Sequence, residues 1–518
     1  MGEASLFPKA GEPILFRGAT VVDGSGAPSY AGDVRVEGDR IVQVGQARAE
    51  GARIVEARGL VLAPGFIDAH SHSDLRVLTE PSLPVKVREG VTCEVIGQDG
   101  LSVAPVSPEH VAERRAQLKA FLGDPPIEWS WRRVSEYLEA VRRAEPAVDV
   151  AYLVPHGALR EIAMGMEARE PSPDERATME RLLDEGLQDG AVGLSTGLIY
   201  PPCCHARTDE LIRLGRVVAR YDGVVVAHIR NEGDFVVQAL EELVRVGREA
   251  ECRVHVSHLK IAGRRNWGKL DQVLTLLEEA VGEVELTADQ YPYVAGATSL
   301  AAILPPWAQA GGAEAIVARL ADPSTRARIR EAVLDPRPAE WDNTWAGSGP
   351  EGIVVSDVPS GCRPELVGKS LSQAAGERDP IDFTLDLLRE EKLAVSMVCF
   401  SQCEEVVEAF LRLPFVCVST DGLLGGRPHP RAYGTFPRVL ARYVRERKVL
   451  TMEQAVRKMS SLASHAYRLT EVGEIEVGSR ANLVLFDPAS VRDKATFDDP
   501  CQYPEGIVHV MRNGRFEF

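Results

Sequence analysis

Residues 223–260 read GVVVAHIRNEGDFVVQALEELVRVGREAECRVHVSHLK. Two short apolar runs, GVVVAHIR and RVHVSHLK, flank the stretch DFVVQALEELVRVGREAE, whose apolar positions recur at helical spacing. A short continuous apolar run marks a strand buried on both faces, and the 3.6-residue rhythm marks an amphipathic helix. The unit is strand–helix–strand, and each strand runs out at a histidine, His228 and His258. The same kind of run recurs along the chain: PGFIDAH (64–70), VTCEVIG (91–97), VDVAYLVPHG (148–157), AVGLSTG (191–197), ELTADQYPY (285–293) and FVCVSTDG (415–422). Amphipathic stretches such as DERATMERLLDEGLQDG (174–190) separate most of them. Eight buried strands with intervening helices predict an α/β chain built as a (β/α)8 TIM barrel over 64–474.

Both ends differ from this middle. PILFRGATVVDG, GDVRVEGDRIVQVG and ARIVEARGLVLAPG near the start, and VGEIEVGSRANLVLFDP and GIVHVMRNGRFEF near the finish, alternate as strands do and are punctuated by Gly and Asp. They predict one small β-sandwich domain formed by both termini, 1–63 plus 475–518. After the seventh run, residues 297–352 carry Pro, Trp, Gly and a short helical stretch, TRARIREAVL. That exceeds an ordinary barrel loop and predicts an inserted lid over the barrel mouth.

The 518 residues leave room for a barrel of roughly 250 residues or more with additions. With 59 Lys plus Arg against 76 Asp plus Glu, the formal net charge is −17, which argues against nonspecific binding to nucleic acid or an anionic membrane. The opening MGEASLFPKAGEP lacks a basic stretch before an apolar core, and no run of about 18 apolar residues appears. Nine scattered cysteines with no CxxC pair suggest reduced thiols and a cytoplasmic setting. The expected partner is a small molecule, and the expected assembly a monomer or small homo-oligomer.

Barrel enzymes build their sites at the C-terminal ends of the strands. The first run ends in His70-Ser71-His72, and residues i and i+2 of a strand point the same way, so both imidazoles can converge on one ion. The fifth ends at His228 and the sixth at His258, with His255 three residues earlier; the eighth ends at Asp421. Imidazoles and a carboxylate collected at strand ends suit a dinuclear site for a borderline metal such as zinc. Such a site needs a bridge. AVGLSTGLIY has no lysine to be carboxylated, whereas the second run leads to Gly97-Gln98-Asp99-Gly100, where Asp99 can join two ions through its two oxygens. Cys93, in mid-strand, is the weaker candidate.

PGFIDAHSHSD, GLSTGLIYPP, HIRNEG, SHLK, DQYPYVAG, STDG, HPRAYGTFPRVL and ATFDDP, in this order, resemble the blocks of the amidohydrolase superfamily, and more closely those of the N-acyl-D-amino-acid deacylase (D-aminoacylase) family. The resemblance spans nearly the whole chain. It implies a barrel with a β-sandwich and a lid, and hydrolysis of the amide bond of N-acyl-D-amino acids or L-Xaa-D-Xaa dipeptides by metal-activated hydroxide. It implies that His70 and His72 hold one Zn2+ and His228 and His258 another, one or two per chain. Asp421 would be the catalytic base and acid, and Tyr200 would contact the scissile carbonyl. Lys260 and Arg431 would hold the substrate carboxylate. His156, in VPHG, is a second candidate donor to the developing oxyanion. The resemblance departs at Asp99, where that family usually carries a cysteine; a carboxylate for a thiolate lowers zinc preference and admits other divalent ions. A cyclic-amide hydrolase is the alternative, weakened by the missing lysine. A catalytically dead scaffold is the non-enzyme alternative, weakened because every expected ligand position is occupied by a suitable polar residue.

Overall fold

The computed structural model describes residues 12–338 and 340–518; the opening residues 1–11, on which the reading of MGEASLFPKAGEP falls, lie outside the described residues. Eight strands form one parallel sheet in sequence order: Phe66–Asp68, Val91–Ile96, Asp149–Pro155, Gly193–Gly197, Val224–His228, Arg253–Val256, Leu286–Gln290 and Val416–Val418. All eight expected runs are barrel strands. The fifth and sixth pair in parallel from Val224↔Arg253 to Ala227↔Val256. A parallel bridge between Ser71 and Gly422 joins the first strand to the eighth, and the Asp421 amide donates to the His70 carbonyl at 2.8 Å. These links close the barrel at its C-terminal rim and bring the first and last strand ends side by side.

The strands are apolar throughout because both faces are covered. Every residue of Val224–His228 is buried, and the helix that follows, Val236–Ala250, buries Val236, Val237, Leu240, Leu243, Val244 and Val246 against the barrel. Spacings of three and four residues put these side chains on one stripe of the helix. The helix Pro173–Gln188 starts on a Ser172–Glu175 capping box with proline at its first position, which satisfies amide donors that the helix start leaves open.

A second sheet draws strands from both ends of the chain. Val61–Pro64 pairs antiparallel with Leu483–Phe486, so the N-terminal strands from Ile14–Val21 onward and the C-terminal strands Ile507–Arg512 and Arg515–Phe516 share one eight-stranded sheet. Ile14, Phe16, Val34, Val36, Leu62, Leu483 and Met511 form its core.

The insertion is larger than the sequence reading placed it. It begins with Gly296–Ser299 and does not end at 352: Ile353–Asp357 and Ser396–Cys399 complete an antiparallel three-stranded sheet, with helices Gly312–Ala321, Pro323–Leu334 and Pro380–Glu390 around it. It has its own hydrophobic core, including Leu300, Ile316, Ile329, Ile353, Phe383 and Met397. The runs IVVSD and SMVC that extend it are too short to announce a sheet on their own. All nine cysteines are free. Among the described residues no helix is long and apolar enough to cross a membrane.

Candidate metal centre

The strand ends deliver their polar side chains to one buried place. His70, His72, Asp99 and Asp421 each offer a ligand atom within 4.8 Å of the others, and Asp99, His228 and His258 form a second such group. Asp99 belongs to both. One of its oxygens, Oδ2, lies 3.6 Å from Nε2 of His70 and of His72, and the other, Oδ1, lies 3.7 Å from His258 Nε2. Asp421 Oδ1 stands 3.3 Å from His72 Nε2 and 3.7 Å from His70 Nε2. His228 Nδ1 and His258 Nε2 are 2.9 Å apart.

The backbone is bent to make this possible. Asp99, His258 and Asp421 all adopt positive φ, at 58°, 36° and 46°. Left-handed geometry in a non-glycine residue costs free energy and persists where the surroundings enforce it, typically at functional sites. Gly97, at φ 83°, starts the turn that carries Asp99, and a Cβ there would sit 2.4 Å from the Leu153 carbonyl oxygen.

The chemistry of the group fits divalent cations. His70 Nδ1 and Nε2, Asp99 Oδ1 and His228 Nε2 are buried without a hydrogen-bond partner. Buried polar atoms are normally satisfied, so convergent orphans call for a further partner. Burial opposes charging of His70, but Asp99, Asp289 and Asp421 outweigh it and hold its pKa well above the usual histidine value. Burial likewise disfavours the Asp99 carboxylate, yet His70 and His258 hold its pKa well below the usual range. Histidine nitrogens and carboxylate oxygens are ligands for zinc.

A surrounding layer fixes these groups. Asp289 accepts from the His258 amide at 3.0 Å, lies 2.9 Å from His255 Nε2 and stands 3.6 Å from His70 Nδ1. Glu232 lies 3.1 Å from His258 Nδ1 and 3.8 Å from His228 Nε2. Carboxylates behind metal-binding imidazoles fix their orientation and raise their basicity. Between the two histidines of the first strand end, the Ser71 hydroxyl donates to Glu94 at 2.7 Å. Lys86 is buried beneath, donating to Asp68 at 2.5 Å and to the Thr420 hydroxyl at 2.9 Å.

A cavity opens over the centre, lined by His72, Asp99, Tyr200, His228, His258, Lys260 and Asp421 from the barrel and by Thr298, Trp341 and Asp342 from the insertion. The Tyr200 hydroxyl is 2.7 Å from Thr298 Oγ1, and burial, with the charge of Asp99 next, raises its pKa well above the usual value, so it stays a donor. Lys260 Nζ donates to Glu232 at 2.5 Å and lies 2.6 Å from His258 Nδ1. Arg431 does not line this cavity. It sits behind Asp421 with Nη2 bonding that carboxylate at 2.9 Å, its guanidinium over the Tyr291 ring at 4.3 Å, and Nε and Nη1 buried without partners. Arg431, followed by His70, holds the Asp421 pKa well below the carboxylate range against burial.

Two readings are corrected, those of Arg431 as a direct substrate contact and of His156 as an oxyanion donor. His156 does not face the cavity: Nε2 is 2.8 Å from Glu210 and Nδ1 2.9 Å from Thr196, so it is a satisfied buried histidine at the start of a helix and no oxyanion donor. His255 is turned to Asp289 and Thr287 and joins neither ligand group. Cys93 packs among Ile67, Val95 and Leu153 in the apolar core. The sequence reading missed Asp289, Glu232 and Asp342. The first closes its strand as the histidines do, and the second follows His228 in HIRNEG, so the strand-end argument could have reached both; nothing marks Asp342, which the insertion supplies.

Eight parallel strands with imidazoles and carboxylates gathered at one rim define a barrel with a candidate site for divalent metal. The chain belongs to the amidohydrolase family, whose pattern it matches over residues 53–331 and 407–518. It is 37% identical over 509 residues to an N-acyl-D-aspartate deacylase of Alcaligenes xylosoxydans xylosoxydans, covering 97% of this chain and 91% of that protein. A crystal structure of D-aminoacylase superposes with a TM-score of 0.82 at 35% identity, over 97% of this chain and 96% of the other. The N-acyl-D-glutamate deacylase from Bordetella bronchiseptica, complexed with zinc and a phosphonate mimic of the tetrahedral intermediate, gives a TM-score of 0.83 at 33% identity, over 98% and 96%.

Proposed function

We propose that this protein hydrolyses the amide bond of N-acyl-D-amino acids, a bond that L-Xaa-D-Xaa dipeptides also contain, as a zinc-dependent enzyme of the cytoplasm. The observation that carries the reading is Asp99, shared by two ligand groups that leave buried imidazole nitrogens unpartnered. His70, His72 and Asp421 would hold one ion and His228 and His258 the other, with Asp99 between them. When bound, such an ion lowers the pKa of water from about 16 to about 7 and polarises a carbonyl oxygen.

The residues of the chain supply the rest. Asp421 stays ionised beside Arg431, so its carboxylate can take a proton from the attacking water and return it to the leaving nitrogen. The Tyr200 hydroxyl donates to the carbonyl oxygen as charge develops there. Lys260 keeps a third N–H beyond its bonds to Glu232 and His258, which suits the substrate carboxylate, while Arg431, buried behind Asp421, holds the Asp421 carboxylate in place.

The test is hydrolysis of paired N-acetyl-D- and N-acetyl-L-amino acids by protein of measured metal content. Turnover of the D series, lost on rigorous chelation and restored by zinc, is expected. Full activity after chelation would sink the reading.

A further inference from the structure

The relatives differ in name by the D-residue they release, so the charge of the cavity becomes the question. Among the described residues lining it, the Lys and Arg side chains are Lys260 and Arg265. Lys260 is bonded to Glu232 and, in the function proposed above, serves the α-carboxylate. A D-aspartate or D-glutamate residue brings a second carboxylate, for which Arg265 is the remaining cation.

Arg265 is already closed. Its Nε donates to Asp234 Oδ1 at 2.7 Å, Nη2 donates to Asp234 Oδ2, and Nη1 donates to the Pro336 carbonyl at 2.7 Å. The Asp234 side chain is only 8% exposed, and a guanidinium forked onto one carboxylate is a strong, geometrically fixed pair. The wall beside it is acidic. Glu232 and Asp342 line the same cavity, and both Asp342 oxygens accept from the Glu232 amide at 2.9 Å.

We infer that the Asp234–Arg265 pair determines specificity: by occupying the one cavity guanidinium among the described residues, it sets the site for D-residues with uncharged side chains and against D-aspartate and D-glutamate. The inference rests on the deacylase reading. It also means that 37% identity to an N-acyl-D-aspartate deacylase does not carry that protein's substrate over to this one.

The experiment measures kcat/KM of the full-length, metal-loaded enzyme on N-acetyl-D-methionine, N-acetyl-D-aspartate and N-acetyl-D-glutamate. Like-charge juxtaposition in a binding site is strongly unfavourable, so methionine should lead both acids by about 100-fold or more. Asp234→Ala opens Arg265 and should narrow that ratio about tenfold or more through a gain on the acids. Adding Arg265→Gln should reverse the gain. Asp234→Asn keeps the shape if the alanine variant folds poorly, and should narrow the ratio in the same direction. A wild-type preference for either acid, or an unchanged ratio in a folded, metal-replete Asp234 variant, overturns the inference alone. Hydrolysis of none of the three substrates overturns the deacylase reading and the inference with it.

Discussion

Replacing Asp99 by alanine removes one ligand from each of two groups at once, and the structure says which group suffers more. Without Asp99 the first still offers His70, His72 and Asp421, the three protein ligands of an ordinary catalytic zinc site. The second keeps His228 and His258, with Glu232, already bonded to Lys260, and Asp342 as the other carboxylates near His228, a poorer set to hold a zinc ion against a chelator. Losing even an outer-shell partner costs roughly 10- to 100-fold in metal affinity. The loss of a charged ligand should therefore weaken the surviving ion by about 1.4–2.7 kcal/mol or more, taking 1.36 kcal/mol per tenfold. Metal content by plasma mass spectrometry after dialysis should fall from two ions per chain to one or fewer, and the chelator concentration for half-removal of the remaining ion should drop at least tenfold. Asp99→Cys should keep both ions and shift the preference toward zinc over manganese or cobalt. An alanine variant that retains two ions and its rate would refute the reasoning: Asp99 would then be a turn residue only.

Asp421→Asn keeps the shape of the side chain and removes the base, so kcat should fall about 10²–10⁴-fold in steady-state assays run with zinc in excess, which offsets the loss of a charged ligand. Arg431→Met should lower kcat/KM about equally for free N-acyl acids and the corresponding amides, because Arg431 acts through Asp421; a loss confined to the acids would mean that it reads the substrate carboxylate itself. His156→Leu should leave metal content near normal but cost about 3 kcal/mol in denaturant unfolding, because it breaks a buried pair with Glu210. The His156 pKa is disfavoured by burial but raised by Cys203 and Glu210 to about 9, from an ordinary 6.5. Its contribution to stability is therefore complete below pH 6.5 and is lost as pH rises through 9, so the wild type should lose stability across that window more than the leucine variant does.

The barrel was legible because each of its strands is buried on both faces and so writes itself as an unbroken apolar run, and because barrel sites lie where those runs stop. That rule alone reached His70, His72, His228, His258 and Asp421, and the structure draws all five into two ligand groups joined by Asp99. It misled at His156, which also follows a strand but turns into the first residue of a helix and is taken by Glu210. Position along a strand says which end a residue occupies, not which neighbour will claim its nitrogen. The insertion was the least legible part. Its strands, Gly296–Ser299, Ile353–Asp357 and Ser396–Cys399, pair across long sequence separations, and no local pattern encodes that pairing.

The insertion also separates two kinds of change. It folds around its own core, and hydrogen bonds such as that from Gln402 Nε2 to the Tyr291 hydroxyl at 3.0 Å tie it to the barrel. Thr298, Trp341 and Asp342 reach the cavity from this unit, while the two ligand groups that share Asp99 belong wholly to the barrel. Mutations on the insertion's side of the cavity can therefore accumulate without removing those ligands, even though the Asp234–Arg265 pair lies on the barrel's side. In evolutionary terms, part of the substrate choice is inherited apart from the chemistry. A transplanted insertion from a relative becomes a practical route to new selectivity on an unchanged catalytic base.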